Sequence, residues 1–138
     1  MIKILFERSR DATFPVELSL AVTRVFVGAT MAFAHGLGKV PPAEGFVGLV
    51  GKIGFPMPEL FAWGAGISEL VGGILLALGL ATRPAAAAVM GTMVVAAFGA
   101  HGDDLFGKGE LALLYAFATL PFLIKGGGTF SIDRFIKG

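Results

Sequence analysis

Two ionisable residues lie inside long apolar stretches, Arg24 in the first and Glu69 in the second. A charge in a membrane-spanning helix costs roughly 2.5–3.5 kcal/mol on insertion scales, so each needs a partner and is a functional candidate by default. At about 1.5 Å per residue, Arg24 lies about 12 Å and Glu69 about 18–20 Å from the same ends of two adjacent antiparallel helices. An offset of about 7 Å is within reach of an extended arginine, so the spacing predicts an Arg24–Glu69 pair. Such a pair could be a buried salt bridge that fixes helix register. It could equally contact a polar head group, such as a quinone carbonyl or an anion, or relay a proton.

A second polar group gathers at the other end of these stretches. His35 ends the first, His101 ends the third, Glu110 opens the fourth, and Asp103 and Asp104 lie in the intervening turn. Eleven residues are close to three helical turns, so Arg24 and His35 share a face, and a polar line running outward from Arg24 is expected. Tyr115, within the fourth stretch, should find a hydrogen-bond partner such as a bundle carboxylate. A proton-exchanging or quinone-facing mouth is the chemistry this group suits. No compact metal-ligand motif is present, so no metal is assigned, and polar helix ends at a head-group region account for the same residues. No residue is singled out as catalytic. The chain contains no Cys, which removes disulfides, thiolate catalysis and thiolate-ligated clusters or zinc from its own repertoire.

The elements that must position these residues follow from composition. Of the 138 residues 55% are hydrophobic and only 15% charged, against roughly 25% charged in a soluble domain. The mean hydropathy is +0.81. A soluble fold could not cover its surface with so few polar groups, which points to an integral membrane protein. The net charge of +1 offers no basic footprint for nucleic acid. Four stretches approach the ~20 helical residues that a ~30 Å hydrocarbon core requires: residues 16–37, 60–80, 84–101 and 109–125, the last being the shortest. Tight connections make neighbours antiparallel, so the predicted fold is an all-α, antiparallel, four-helix membrane bundle forming one domain. Thr82 reads as the N-cap of the third helix, with Pro84 in its first turn. In the long first loop, 38–59, Phe46, Val47, Leu49, Val50 and Ile53 form a stretch too short to span. It reads as an interfacial or re-entrant helix over one mouth of the bundle, or as an amphipathic surface loop.

Small residues at four-residue spacing (Gly28, Ala32, Gly36; Gly64, Ser68, Gly72; Gly91 with Gly99) read as helix-packing ridges. Residues 1–11 lack the pattern of a cleavable signal peptide. Lys3, Arg8, Arg10, Arg83, Lys125, Arg134 and Lys137 fall on the side of both termini, and Lys39, Lys52 and Lys108 on the other. That bias places both termini in the cytoplasm, with a tail, 126–138, lying on the membrane surface.

The ordered set of residues resembles a known family. Arg24, His35-Gly36-Leu37-Gly38-Lys39, Gly54-Phe55-Pro56, Glu69 with Gly72-Gly73, Leu78-Gly79 and Thr82-Arg83 look like the DoxX family of small bacterial membrane proteins. Glu110, Leu114-Tyr115 and the terminal Gly126, Gly128, Ser131 and Asp133 continue the likeness over nearly the whole chain. The resemblance implies a four-helix protein of the bacterial inner membrane and a role as a subunit of an oxidoreductase system. The expected ligand is then a quinone or a similar lipophile, with no cofactor held covalently and with a soluble or membrane redox partner supplying reactive centres. Arg24, Glu69, His35, His101, Glu110 and Tyr115 would form its site. A non-catalytic scaffold for a soluble redox enzyme, and a proton-coupled transporter of a small solute, are the other readings. A homo-oligomer is compatible with all three.

Overall fold

A computed structural model describes residues 13–137. Every regular element among them is helical. Helix α1, Thr13–Thr30, runs on through a π turn, Met31–Gly36, and a 3-10 turn, Leu37–Lys39. Together these make one apolar rod of 27 residues. A ten-residue helix α2, Glu44–Ile53, follows where the short amphipathic segment is expected. Helix α3 spans Pro58–Leu78, and α4 spans Thr82–Val95 with a π extension, Ala96–Ala100. Helix α5, Glu110–Lys125, and a final short α6, Ile132–Lys137, complete the order.

Three of these rods, Thr13–Lys39, Pro58–Leu78 and Thr82–Ala100, are long and apolar enough to cross a membrane. Helix α5 has 16 residues, just under the usual spanning range of roughly 17–25. Their outward faces carry large apolar side chains that a soluble protein would bury, among them Phe26, Phe33, Phe98 and Phe117, each more than half exposed. This is the surface of a multi-pass membrane protein.

The packing of α1 on α3 is a backbone-to-backbone contact made by glycine. A Cβ at Gly28 would collide with the backbone of Gly73 and Ala77, one at Gly36 with Glu69 and Leu70, and one at Gly73 with Ala32 and Gly28. The predicted ridge of Gly28, Ala32 and Gly36 is therefore the seam, and its partner is Gly73. Gly64, Ser68 and Gly91 do not pack helices. A Cβ at Gly64 or Gly91 would meet open space, and all three residues line a cavity. Met31, Val89, Met93, Ala97, Ala112 and Ala116 form the core between α1, α4 and α5.

Helix α3 ends in a Schellman motif. Gly79 (φ +69°) takes the left-handed conformation while its N–H bonds Leu76 O, and the Leu80 N–H bonds Leu75 O. Thr82 is not the N-cap of α4, as its spacing suggested. The cap is the Asp133 carboxylate, which accepts from the N–H groups of Ala81 (2.8 Å) and Thr82 (2.9 Å) and from the Thr82 hydroxyl (2.7 Å). A residue some fifty positions away supplies the oxygen that local sequence rules assign to a neighbour.

Candidate functional site

Arg24 and Glu69, expected to pair, do not meet. The expected pairing measured both residues from flush helix ends. The glycine seam instead sets Arg24 level with Gly79 and Glu69 level with Gly36. Twelve residues of α1 separate those levels, about 18 Å of rise. The polar line running outward from Arg24 is accordingly two separate centres at opposite ends of the seam.

Glu69 belongs to the end that carries α2. Its carboxylate is 1% exposed, and both oxygens accept from Lys39 Nζ at 2.7 Å. Lys39 sits where α1 ends, three residues beyond Gly36 on the same face, so the seam that packs the helices also aims its side chain at α3. In the sequence this lysine counts among the cations of the first loop and closes the family-like run His35-Gly36-Leu37-Gly38-Lys39. Extending the Gly28–Ala32–Gly36 ridge by one further turn is the signal that would have found it. Its ammonium also lies 5.3 Å from the centre of the Phe46 ring, a cation–π contact from α2.

This ion pair closes one end of a cavity of about 460 Å³ between α2, α3 and α4. Phe46, Leu49, Val50 and Ile53 form the wall from α2, while Ser68, Thr92 and His101 add polar groups. Phe55 and Phe61, with ring centres 4.7 Å apart, close another side. The missing side chains of Gly64 and Gly91 are what leave the space. A mostly apolar chamber with a few convergent polar groups is the usual form of a small-molecule site, and its volume falls within the usual ~300–1,000 Å³. Chemically it can hold an amphipathic ring whose polar head accepts from Lys39 or donates to Glu69.

The other expected site residues are distributed as follows. His101 lines the cavity. His35 does not; it packs edge-to-face on Tyr115 at 5.3 Å. Tyr115 thus packs on an imidazole, and its hydroxyl forms no hydrogen bond to a carboxylate among the described residues. Glu110 is exposed at the start of α5, outside the cavity lining.

Arg24 organises the opposite end. It is 1% exposed, and its guanidinium donates to Leu76 O (2.8 Å), Ala77 O (2.6 Å) and Phe130 O (2.6 Å). Its Nε finds no acceptor among the described residues. The residue thus ties the last turn of α3 to the tail, which Asp133 also fastens to α4. Glu17 adds a third tie, pairing with Lys125 and accepting from the Thr129 N–H.

Partial burial works to raise the Asp133 pKa. The hydrogen bonds from Thr82 and Ala81, together with the nearby Lys137 charge, outweigh it and hold the carboxyl below the usual range. A folded pKa below the unfolded one stabilises the docked tail above the unfolded value, about 3.9, and that stabilisation is lost as pH falls through the folded value. Protection of the Ala81 and Thr82 amides from exchange, corrected for the intrinsic pH dependence, is therefore expected to stay constant from neutral pH to about pH 5 and to drop only below about pH 4. Asp133→Ala should remove that protection at every pH.

A family model described as DoxX matches residues 19–102. A relative from Haemophilus influenzae, named only "Uncharacterized protein", is 39% identical over 127 residues, covering 86% of this chain and 91% of its own. A relative from Bacillus subtilis, named "Putative oxidoreductase CatD", is 29% identical over 121 residues, covering 87% of this chain and 88% of its own. No solved structure matches the chain. The matched segment takes in the glycine seam, Lys39, Glu69 and His101, and stops before Asp133.

Proposed function

This chain belongs to the DoxX family, and from that premise we propose that it binds a quinone or a similar small lipophile in the cavity under α2, as the membrane subunit of an oxidoreductase system. The observation that carries this reading is a mostly apolar chamber ending in one partly buried ion pair, Lys39–Glu69, within a molecule whose outer faces are apolar. Lys39 would donate to a quinone carbonyl, Glu69 would accept from a quinol hydroxyl, and Phe46, Phe55 and Phe61 would enclose the ring. His101 would exchange protons at the rim. The oxidoreductase part of the proposal is supported by the name of the Bacillus subtilis relative. A redox partner would supply the electrons.

The same proposal includes four spans in the inner membrane, with α5 crossing as the fourth and shortest. Lys108 and Lys125 would extend it by reaching to the two interfaces. Both termini would be cytoplasmic. In that orientation the Lys39–Glu69 cavity faces the outer leaflet and the docked tail faces the cytoplasm.

The test is co-purification. Quinone extracted from the full-length protein in mild detergent should be present in stoichiometric amount and lost in Gly91→Leu, where the added side chain enters open cavity space. Quinone at background level in the wild type, or unchanged in Gly91→Leu, would defeat the proposal.

A further inference from the structure

A second cavity, unconnected with the proposed lipophile site, lies at the opposite end of the molecule. It is an open cleft of about 580 Å³ between the α3–α4 turn, the glycine run after α5, and the tail. Four cations line it, Arg83, Lys125, Arg134 and Lys137, against two carboxylates, Glu17 and Asp133. Both carboxylates are spent on protein donors. Glu17 takes Lys125 and the Thr129 N–H, and Asp133 takes Ala81 and Thr82. Arg83 gives one bond to Ile124 O. Arg134 and Lys137 are exposed and form no ion pair among the described residues. Among the described residues the cleft therefore presents a surplus of positive charge and no carboxylate oxygen without a donor.

Its position supplies the second argument. The cleft lies where two rods long and apolar enough to cross a membrane end and begin, at Leu78 and Thr82, so a bilayer around those rods would bring its phosphate groups to the cleft. On the short helix that carries Arg134 and Lys137, Phe135 is 85% and Ile136 69% exposed. Such residues belong in an acyl boundary, beside cations placed to meet phosphate.

We propose that this cleft is an anion site for a phosphate group, carried by an anionic phospholipid at the bilayer surface, with Arg83, Arg134 and Lys137 as its ligands. Free inorganic phosphate offers the same chemistry, and the test separates the two sources. Full-length protein is exchanged into nanodiscs of phosphatidylcholine alone or with phosphatidylglycerol, and retained lipid is counted by native mass spectrometry. The wild type should retain phosphatidylglycerol in preference to phosphatidylcholine. Arg134→Gln/Lys137→Gln should cut that preference about 25-fold, at about fivefold per cation near the surface. Neither side chain forms a hydrogen bond or ion pair among the described residues, and the bonds of Asp133 to Ala81 and Thr82, which dock the tail, do not involve them, so the variant remains a fair comparison. Saturable binding of inorganic phosphate that displaces the lipid, and is lost in the same variant, keeps the anion site and assigns it to the free ion. Equal retention of both lipids with no phosphate binding, or a preference unchanged in the double variant, overturns the proposal.

Discussion

Arg24→Leu is expected to lower stability by about 2–4 kcal/mol and to loosen the tail around Phe130, while the Asp133 and Glu17 ties remain. Three carbonyls lose a charged donor, each such bond being worth about 1.5–3 kcal/mol, while removal of a buried charge returns part of that cost. The loss is uneven. Leu76 O still accepts from the Gly79 N–H, so the last turn of α3 persists. Phe130 O, 106 residues away in sequence, depends on the arginine for its tie to the core. Thermal unfolding in detergent should show the shift, and limited proteolysis should show new cleavage after residue 125. Arg24→Lys should fall between the two, because a single ammonium cannot serve three diverging acceptors as the guanidinium fork does. Quinone retention should survive in Arg24→Lys, since Arg24 is not part of the cavity wall. Loss of quinone in that variant with its fold intact would show that the two ends are coupled.

The fold was legible where it depends on apolar length and local chemistry. Apolar runs located the three rods Thr13–Lys39, Pro58–Leu78 and Thr82–Ala100 to within about two residues at most ends, and the short apolar segment after Pro42 marked α2. Four-residue spacing of small residues marked the Gly28–Gly36 seam correctly, because close helix approach needs small side chains. The same signal misled at Gly64, Ser68 and Gly91. A missing side chain can admit a neighbouring helix or leave a hole, and one strand of sequence does not distinguish these. The Arg24–Glu69 pairing failed for a related reason. The seam fixes helix register through Gly73 and Leu70, whereas the apolar boundaries give register only to within a turn or two. Charge inside an apolar stretch correctly marked Arg24 and Glu69 as residues that need partners, and both have them, Arg24 through its two terminal nitrogens. Two of their partners, Lys39 and the Phe130 carbonyl, came from segments read as loop and tail, whereas the Leu76 and Ala77 carbonyls lie within the second span.

The Lys39–Glu69 pair gives the other large effect, and its two halves should not be equivalent. Lys39→Met strands a carboxylate that is 1% exposed, and removing the partner of a buried charge costs about 3–5 kcal/mol. Glu69→Gln leaves a lysine whose side chain is 32% exposed. Its flexible stem can carry the ammonium out to solvent, so the cost should be nearer 1 kcal/mol. The double variant Lys39→Met/Glu69→Leu should recover most of the stability lost in Lys39→Met, because an apolar replacement of a buried ion pair is often neutral or better. A double-mutant cycle by thermal unfolding, closed with the single variant Glu69→Leu, would read this as strong coupling, and single-mutant costs that simply add would contradict it. Binding should not follow stability. Lys39→Met and the double variant both remove the ammonium that a quinone head would meet, so each should lose retained quinone, including the double variant that unfolds like the wild type. A stable double variant that still carries quinone would reduce the pair to a register pin between α1 and α3. A stable one that has lost it would mean the charges are kept for the ligand at no gain to the fold.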